Sequence, residues 1–380
     1  MKIGIVSMQR IINYGSFLQA YYLKKLLEEL GHEVFFVDFK IEKPILITKK
    51  QYIQYYRKKI INACIRFFES KKILYRLFPK SIQHVLTTNY NFRKFYWKQL
   101  GLTKTYNYKN NVDVIIIGSD EVFNCTQLNP LVGFSKNLFG YGFNSAKIIS
   151  FAASFGNTTI EKIDKIGIRD DLALYLSKFN YLSVRDENSY NIIKDLIDCE
   201  ISVNPDPVVI STLESFENKD IIKNSYILIY AYRNRLKNEE VDLIINFAKN
   251  NNKKIYSISG YYDFCDKNLI VSPFEIISYF SNAFFVFTDT FHGTIFSLKA
   301  HSKFGVFVRE SISNSYGNSE KLKDLLMRFD LCERIIDIDH NINLLYEKKI
   351  DFDSIDTLCE NSLLDSKNYL IKAIGAENED

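Results

Sequence analysis

The segment Asp289-Thr290-Phe291-His292-Gly293-Thr294 sets a carboxylate, a hydroxyl and an imidazole directly behind an apolar run, residues 284–288. An apolar run ending in such a cluster reads as a strand that delivers polar groups to a sheet edge. A histidine in the first turn of the next helix is suited to contact an anion or exchange a proton near neutral pH. The plainer reading makes His292 a helix-start residue bonded to a carbonyl, and spacing alone leaves both open. His32, His84, His301 and His340 follow no such strand end. Arg185, in LSVRDENS, likewise lies between a strand run and a helix. Its guanidinium suits bidentate capture of a carboxylate or phosphate, or an ion pair with Asp186 or Glu187. Asp120 closes the run VDVIIIGSD, where it is placed to orient or deprotonate a hydroxyl or to serve as a buried structural carboxylate. Asn13-Tyr14-Gly15 opens a helix whose free backbone N–H groups would attract an anion, although the glycine spacing of a dinucleotide or P-loop site is missing. No cluster of metal-ligand residues is readable, and no metal is expected.

Groups this far apart in sequence meet only if the intervening chain brings them together. Residues 3–7 form a compact apolar strand. Phe17, Leu18, Tyr21, Leu26, Leu27 and Leu30 then recur at helical spacing up to Gly31, where a C-terminal cap belongs. Residues 34–38 complete a strand–helix–strand unit, and the alternation resumes with strands at 112–117, 147–152 and 181–184 and a helix over 161–178. A second series has strands at 226–230, 254–258, 284–288 and 304–308, with helices at 241–249, 274–282 and 292–300 between them. Strands alternating with helices build parallel sheets covered on both faces. The expected fold class is α/β, with two Rossmann-like lobes facing a cleft. The lobes are assigned to 1–215, with a basic helical insertion over 40–110, and to 216–340, followed by a helical tail over 341–380. Polar STLESFENKD near 210–222 marks the boundary. In such sheets ligands bind beyond the carboxyl ends of the strands, where Asn13, Asp120, Arg185 and His292 all fall.

With 380 residues, 47% of them hydrophobic and 25% charged, the chain has apolar material for two cores and is neither disordered nor low-complexity. Six cysteines lie far apart without a CxxC pair, which argues for reduced thiols. The N-terminus lacks the long apolar core of a signal peptide, and no stretch approaches the roughly 18 apolar residues of a membrane span. A cytoplasmic protein is therefore expected. The net charge of +4 conceals an asymmetry, because residues 40–110 carry 17 Lys and Arg against Glu42 and Glu69, a local +15. Tyr52, Tyr55, Tyr56, Phe67, Phe68, Tyr75, Phe78 and Trp97 interleave with those charges. Peripheral contact with an anionic membrane and a plain helical layer packed on the sheet both fit this mixture. Single-stranded nucleic acid is the rival partner and is not expected.

Asn13-Tyr14-Gly15 with Leu18-Gln19-Ala20 behind it, Gly118-Ser119-Asp120, ISFAASFG at 149–156, Ser183-Val184-Arg185-Asp186, Asp206-Pro207 and Asp289 to Thr294 together resemble the polysaccharide pyruvyl transferase family. The resemblance runs in order over roughly residues 4–310. It implies a GT-B-like architecture and transfer of pyruvate from phosphoenolpyruvate onto two sugar hydroxyls, forming a cyclic ketal during cell-surface polysaccharide biosynthesis. It implies phosphoenolpyruvate as co-substrate, no cofactor, and a saccharide acceptor; if the basic segment brings the protein to the inner face of the cytoplasmic membrane, a polyprenyl-linked acceptor would wait there. By the same resemblance Arg185 and His292 fall on the family's donor-binding and catalytic arginine and histidine, and Asp120, from its place at the strand end, is set beside His292 as the second catalytic candidate. Arg185, His292, Lys321, Gly293 and Thr294 bind phosphoenolpyruvate, and the C-terminal lobe is the donor side. Asn13, Tyr14, Gly15, Asp120 and Glu121 bind the acceptor in the N-terminal lobe. This chain departs from the family pattern at Thr290, where some relatives carry arginine, at Glu121, often glutamine, and at Phe123, commonly tryptophan. Glycosyl transfer from a nucleotide sugar and non-catalytic saccharide binding are the alternatives.

Overall fold

The computed structural model describes residues 1–45, 48–69, 71–109, 111–143, 147–213, 221–309, 319–338 and 341–375. The expected lobe boundary at 215/216, His340 and the acidic C-terminal residues lie outside the described residues. Strands β1 (Lys2–Val6), β2 (Glu33–Phe36), β3 (Val114–Asp120), β4 (Lys147–Ala153), β5 (Leu182–Val184) and β6 (Ile201–Val203) form a parallel sheet in the order β2-β1-β3-β4-β5-β6. Strands β7 (Tyr226–Tyr230), β8 (Lys254–Ile258), β9 (Lys267–Leu269), β10 (Phe285–Thr288) and β11 (Phe304–Val306) form a second, in the order β11-β10-β7-β8-β9. Both are doubly wound. The strand order reverses between β1 and β3 in the first sheet and between β7 and β10 in the second, and ligands of open α/β sheets bind at such reversals.

The strands form because both faces are covered. Val114 to Ile117 and Ile227 to Ile229 are fully buried, as continuous apolar runs in parallel sheets should be. β6 and β9, absent from the sequence reading, are three residues each, too short to show a period. The helix expected over 161–178 is two helices, Ile160–Ile166 and Arg169–Leu176. Gly167 ends the first in the left-handed region at φ +70°, a conformation that closes a helix without a Cβ penalty.

One apolar cluster runs through both lobes, joining Phe17 and Leu23 of the first to Leu228, Ile295 and Phe296 of the second. The helix Phe352–Ile374 returns to the N-terminal sheet, where the Tyr369 hydroxyl donates to the Ser150 carbonyl at 2.8 Å. The tail is thus part of the first lobe's packing.

The basic segment divides into two parts with different roles. Leu86 of the helix Lys80–Asn91, then Phe92, Trp97 and Leu100, are buried, with the Phe92 ring 5.3 Å from that of Tyr14 and 6.1 Å from that of Phe17. This part is a structural layer. The helix Lys49–Glu69 buries only Tyr55 and Glu69 and stands largely in solvent. Among the described residues no helix is long and apolar enough to cross a membrane.

Candidate active site

The loops after β1, β3, β7 and β10, at the two reversal points, open on a single cleft of about 910 Å³. Asp120 reaches it from the end of β3 with a left-handed backbone, φ +81°, a conformation costing on the order of 1–3 kcal/mol that persists where neighbours hold it. The Ser119 hydroxyl accepts the Asp120 amide at 2.6 Å, and the Ser16 hydroxyl donates to Asp120 Oδ2 at 2.7 Å. Ser16 belongs to the helix Tyr14–Glu29, so the helix holds the carboxylate while Ser119 of β3 holds the backbone amide.

Behind the cleft wall sits Asp206, fully buried at the start of the short helix Pro207–Ile210. Its Oδ1 accepts the Val208 amide at 3.1 Å. Its Oδ2 accepts Arg185 Nη1 at 2.8 Å and the Ser119 hydroxyl at 3.3 Å. His292 Nε2 lies 3.3 Å from the same oxygen without hydrogen-bond geometry, and makes no other bond. Burial alone would raise the Asp206 pKa, but His292, Arg185 and the Val208 amide outweigh it and hold the carboxyl at about 2. Arg185 follows β5, is itself buried, and extends Nη2 to within 3.5 Å of Asp120 Oδ1. Burial works against its charge, while Asp206, Asp120, Asp186 and Glu121 more than compensate and raise its pKa. The guanidinium lies over the Phe291 ring at 4.5 Å. Its partners are therefore Asp206 and Asp120, while the neighbour Asp186 caps the helix Glu187–Leu196 through the Ser189 amide.

His292 comes from the first turn of the helix Phe291–Lys299, capped by Thr290, whose hydroxyl accepts the Gly293 amide at 2.9 Å. Gly293 is required because a Cβ there would fall 2.1 Å from Thr288 Oγ1 and 2.7 Å from Tyr230. Gly293 and Thr294 lie behind the cleft, not on its wall, with the Thr294 hydroxyl turned to the Thr290 carbonyl. Lys321, from the helix Ser319–Arg328, does line the cleft and pairs with Glu121. Asp289 is buried against Arg235, Nε to Oδ2 at 2.9 Å, with Arg309 Nε at 3.9 Å. It is a structural anchor for the loop that carries His292.

Asn13, Tyr14 and Gly15 are the seam between the lobes. The side-chain Oδ1 of Asn13 caps its own helix by accepting the Gly15 and Ser16 amides, which removes the free N–H groups expected there. Its Nδ2 donates to the Tyr232 hydroxyl at 2.7 Å, and the Tyr14 hydroxyl donates to the Val271 carbonyl at 3.1 Å. Of the three, only Asn13 lines the cleft. A Cβ on Gly15 would lie 2.2 Å from Cγ and Nδ1 of His292. Gly15→Ala is therefore expected to push the His292 ring off its seat. Overpacking costs about 1–3 kcal/mol, against at most about 1 kcal/mol of helix propensity gained, so both the denaturant midpoint and turnover should fall. An alanine variant as active as the parent would show that the contact is dispensable.

Sequence reasoning had Asp206 only as part of an Asp-Pro pair, and gave no role to Ser16, Tyr232, Arg235 or Arg309. The helix Lys49–Glu69 also supplies Gln51, Gln54, Arg57 and Lys58 to the cleft. In all, seven Lys and Arg side chains face three carboxylates across its lining, a surplus of positive charge that suits a polyanionic ligand. Among the described residues no His, Cys, Asp and Glu cluster is arranged to hold a metal ion.

The fold is similar to that of S. aureus MnaA solved with UDP, at 11% identity and TM-score 0.51, covering 100% of this chain and 98% of that one. It is also similar to the UDP-GlcNAc 2-epimerase of Methanocaldococcus jannaschii, solved with UDP-GlcNAc and UDP, at 13% identity and TM-score 0.49, covering 99% and 100%. At such identities the likeness to MnaA shows the fold alone, two Rossmann-like lobes of GT-B type. No curated protein matches the sequence. The model of the family described as polysaccharide pyruvyl transferase matches residues 13–311, a span that holds β3 to β11 with Asp120, Arg185, Asp206 and His292. With that match over most of its length, the chain belongs to the polysaccharide pyruvyl transferase family.

Proposed function

We propose that this transferase moves pyruvate from phosphoenolpyruvate onto two hydroxyls of a saccharide, forming a cyclic ketal. The observation that carries the reading is the buried Asp206 carboxylate held between Arg185 and His292 behind the wall of a cationic cleft. Phosphoenolpyruvate brings a phosphate and a carboxylate, and the Lys and Arg surplus of the lining opposes both charges. A proton delivered by His292 to the methylene carbon makes C2 electrophilic. Asp206 lies behind it, 3.3 Å from Nε2, and holds the ring. One sugar hydroxyl attacks C2, and Asp120 at the cleft surface takes its proton. Phosphate then leaves with the C–O bonding pair, and the neighbouring hydroxyl closes the ketal and releases the second proton. Lys321 and Arg185 receive the departing phosphate. The acceptor is a saccharide, carried on a polyprenyl lipid at the inner face of the cytoplasmic membrane.

Incubation of the protein with phosphoenolpyruvate and candidate saccharides should release inorganic phosphate together with a ketal of the saccharide. Nucleotide sugars serve as controls. Turnover of a nucleotide sugar, with phosphoenolpyruvate left intact under every acceptor, would replace pyruvyl transfer by glycosyl transfer.

A further inference from the structure

The helix Lys49–Glu69 has one side on the cleft and another in solvent, and the wet side is not polar. Ile53, Ile60 and Phe67 are seven residues apart, close to two turns each, and so share one stripe along the helix. They are 66%, 63% and 59% exposed, and Leu77, ending the next short helix, is 78% exposed. Single apolar residues on a surface need no explanation, but an aligned row does. Lys49, Lys50, Lys59 and Arg66 share the helix with this row, and Lys71, Lys72 and Arg76 follow it. The helix has a single carboxylate, Glu69, buried with Oε2 3.2 Å from Arg93 Nε, so it does not oppose these charges. Tyr52 and Tyr56, with ring centroids 4.5 Å apart, add rings of the kind that settle at a lipid headgroup layer.

We propose that this helix lies on an anionic bilayer, with the Ile53–Ile60–Phe67 row in the outer acyl layer and the cations among the headgroups. Charge complementarity selects the occupant. The segment is positive along its whole length, and its apolar row lies among the cations. A bilayer with anionic lipids offers diffuse negative charge and apolar depth in the same place, as an interfacial amphipathic helix requires. Because Gln51, Gln54, Arg57 and Lys58 of the same helix line the cleft, docking opens the cleft beside the lipid surface. The purpose of the docking rests on the lipid-held acceptor proposed above, while the exposed row and its charge stand without it.

The test is co-sedimentation of the full chain with phosphatidylcholine vesicles, with and without phosphatidylglycerol, at low and high salt. Binding is expected only with phosphatidylglycerol and should weaken at high salt, where exposed charges are screened. The combined variant Lys49→Gln, Lys50→Gln, Lys59→Gln and Arg66→Gln should bind at least about 100-fold more weakly, at roughly 5-fold per cation removed. The combined variant Ile53→Ser, Ile60→Ser and Phe67→Ser should also lose at least about 10-fold while keeping its response to salt. None of these seven residues lines the cleft, so turnover of a soluble acceptor should be unchanged in both variants. Wild-type protein left in the supernatant with phosphatidylglycerol vesicles would overturn the docking. So would equal binding to neutral vesicles, or a serine variant that binds like the parent. A serine variant that changes oligomeric state in place of lipid binding would make the row a contact between copies and would overturn it too. Vesicle binding without ketal formation would leave the docking standing and overturn only the reaction.

Discussion

His292→Ala is expected to lower pyruvyl transfer by about 10²- to 10⁴-fold, the usual worth of a general acid, while leaving a folded protein. The histidine is the one titratable ring that comes from a β10 loop, touches the buried Asp206 carboxylate and lines the cleft. Its loss removes a proton donor and opens a small space against Gly15, a change that ordinarily costs about 0.5–3 kcal/mol. Circular dichroism and a urea midpoint separate the two effects, since the expected stability loss is far too small to account for the rate. A variant that retains more than about a tenth of the parental rate would remove His292 from the proton-transfer role.

The largest effect on stability is expected from Asp206→Asn. The substitution keeps the shape but leaves Arg185 buried without its principal counter-charge, and breaking a buried pair from one side costs about 3–5 kcal/mol. The same carboxylate should govern acid stability. Its folded pKa of about 2 lies below the roughly 3.9 of an unfolded aspartate, so its contribution is complete above about pH 4 and is lost as pH falls through 2. That difference is worth roughly 2–3 kcal/mol. Urea midpoints measured from pH 5 downward should therefore fall for the parent and fall less for Asp206→Asn. The variant should also lose turnover at neutral pH, because the His292 ring no longer has a charged partner. Parallel acid limbs in the two proteins would mean that another carboxylate sets the acid response.

The strands that carry the site were legible because each is a continuous apolar run ended by polar residues. Val114 to Asp120 and Phe285 to Asp289 are the clearest cases. Arg185 and His292 were legible for the same reason, and the structure places both at the cleft within reach of one carboxylate. Asp206 was opaque, because an aspartate before proline reads as a helix cap, which it also is. Its second role depends on loops after β3, β5 and β10 converging, and no local pattern records that. Asn13 was legible as a helix start, but its bond to Tyr232 joins lobes far apart in sequence. The basic segment had one composition and two roles. The sequence could not tell that the Lys80–Asn91 half packs inward while the Lys49–Glu69 half stays out, because aromatics and cations are mixed alike in both.

Gly15 and His292 meet across the seam, one from each lobe, and Asn13–Tyr232 and Tyr14–Val271 fasten the same line. A hinge motion that parts the lobes by the width of a methyl group would withdraw the backstop from the imidazole ring. A donor molecule captured by an ajar protein would then face a loosely held ring, and protonation of its methylene would wait until the halves closed. In the pyruvyl transfer proposed above, such an interlock would spare phosphoenolpyruvate from wasteful hydrolysis between acceptors. It would also limit the size of saccharide that reacts, since one bulky enough to prop the halves apart would disarm the acid that the proposed reaction requires.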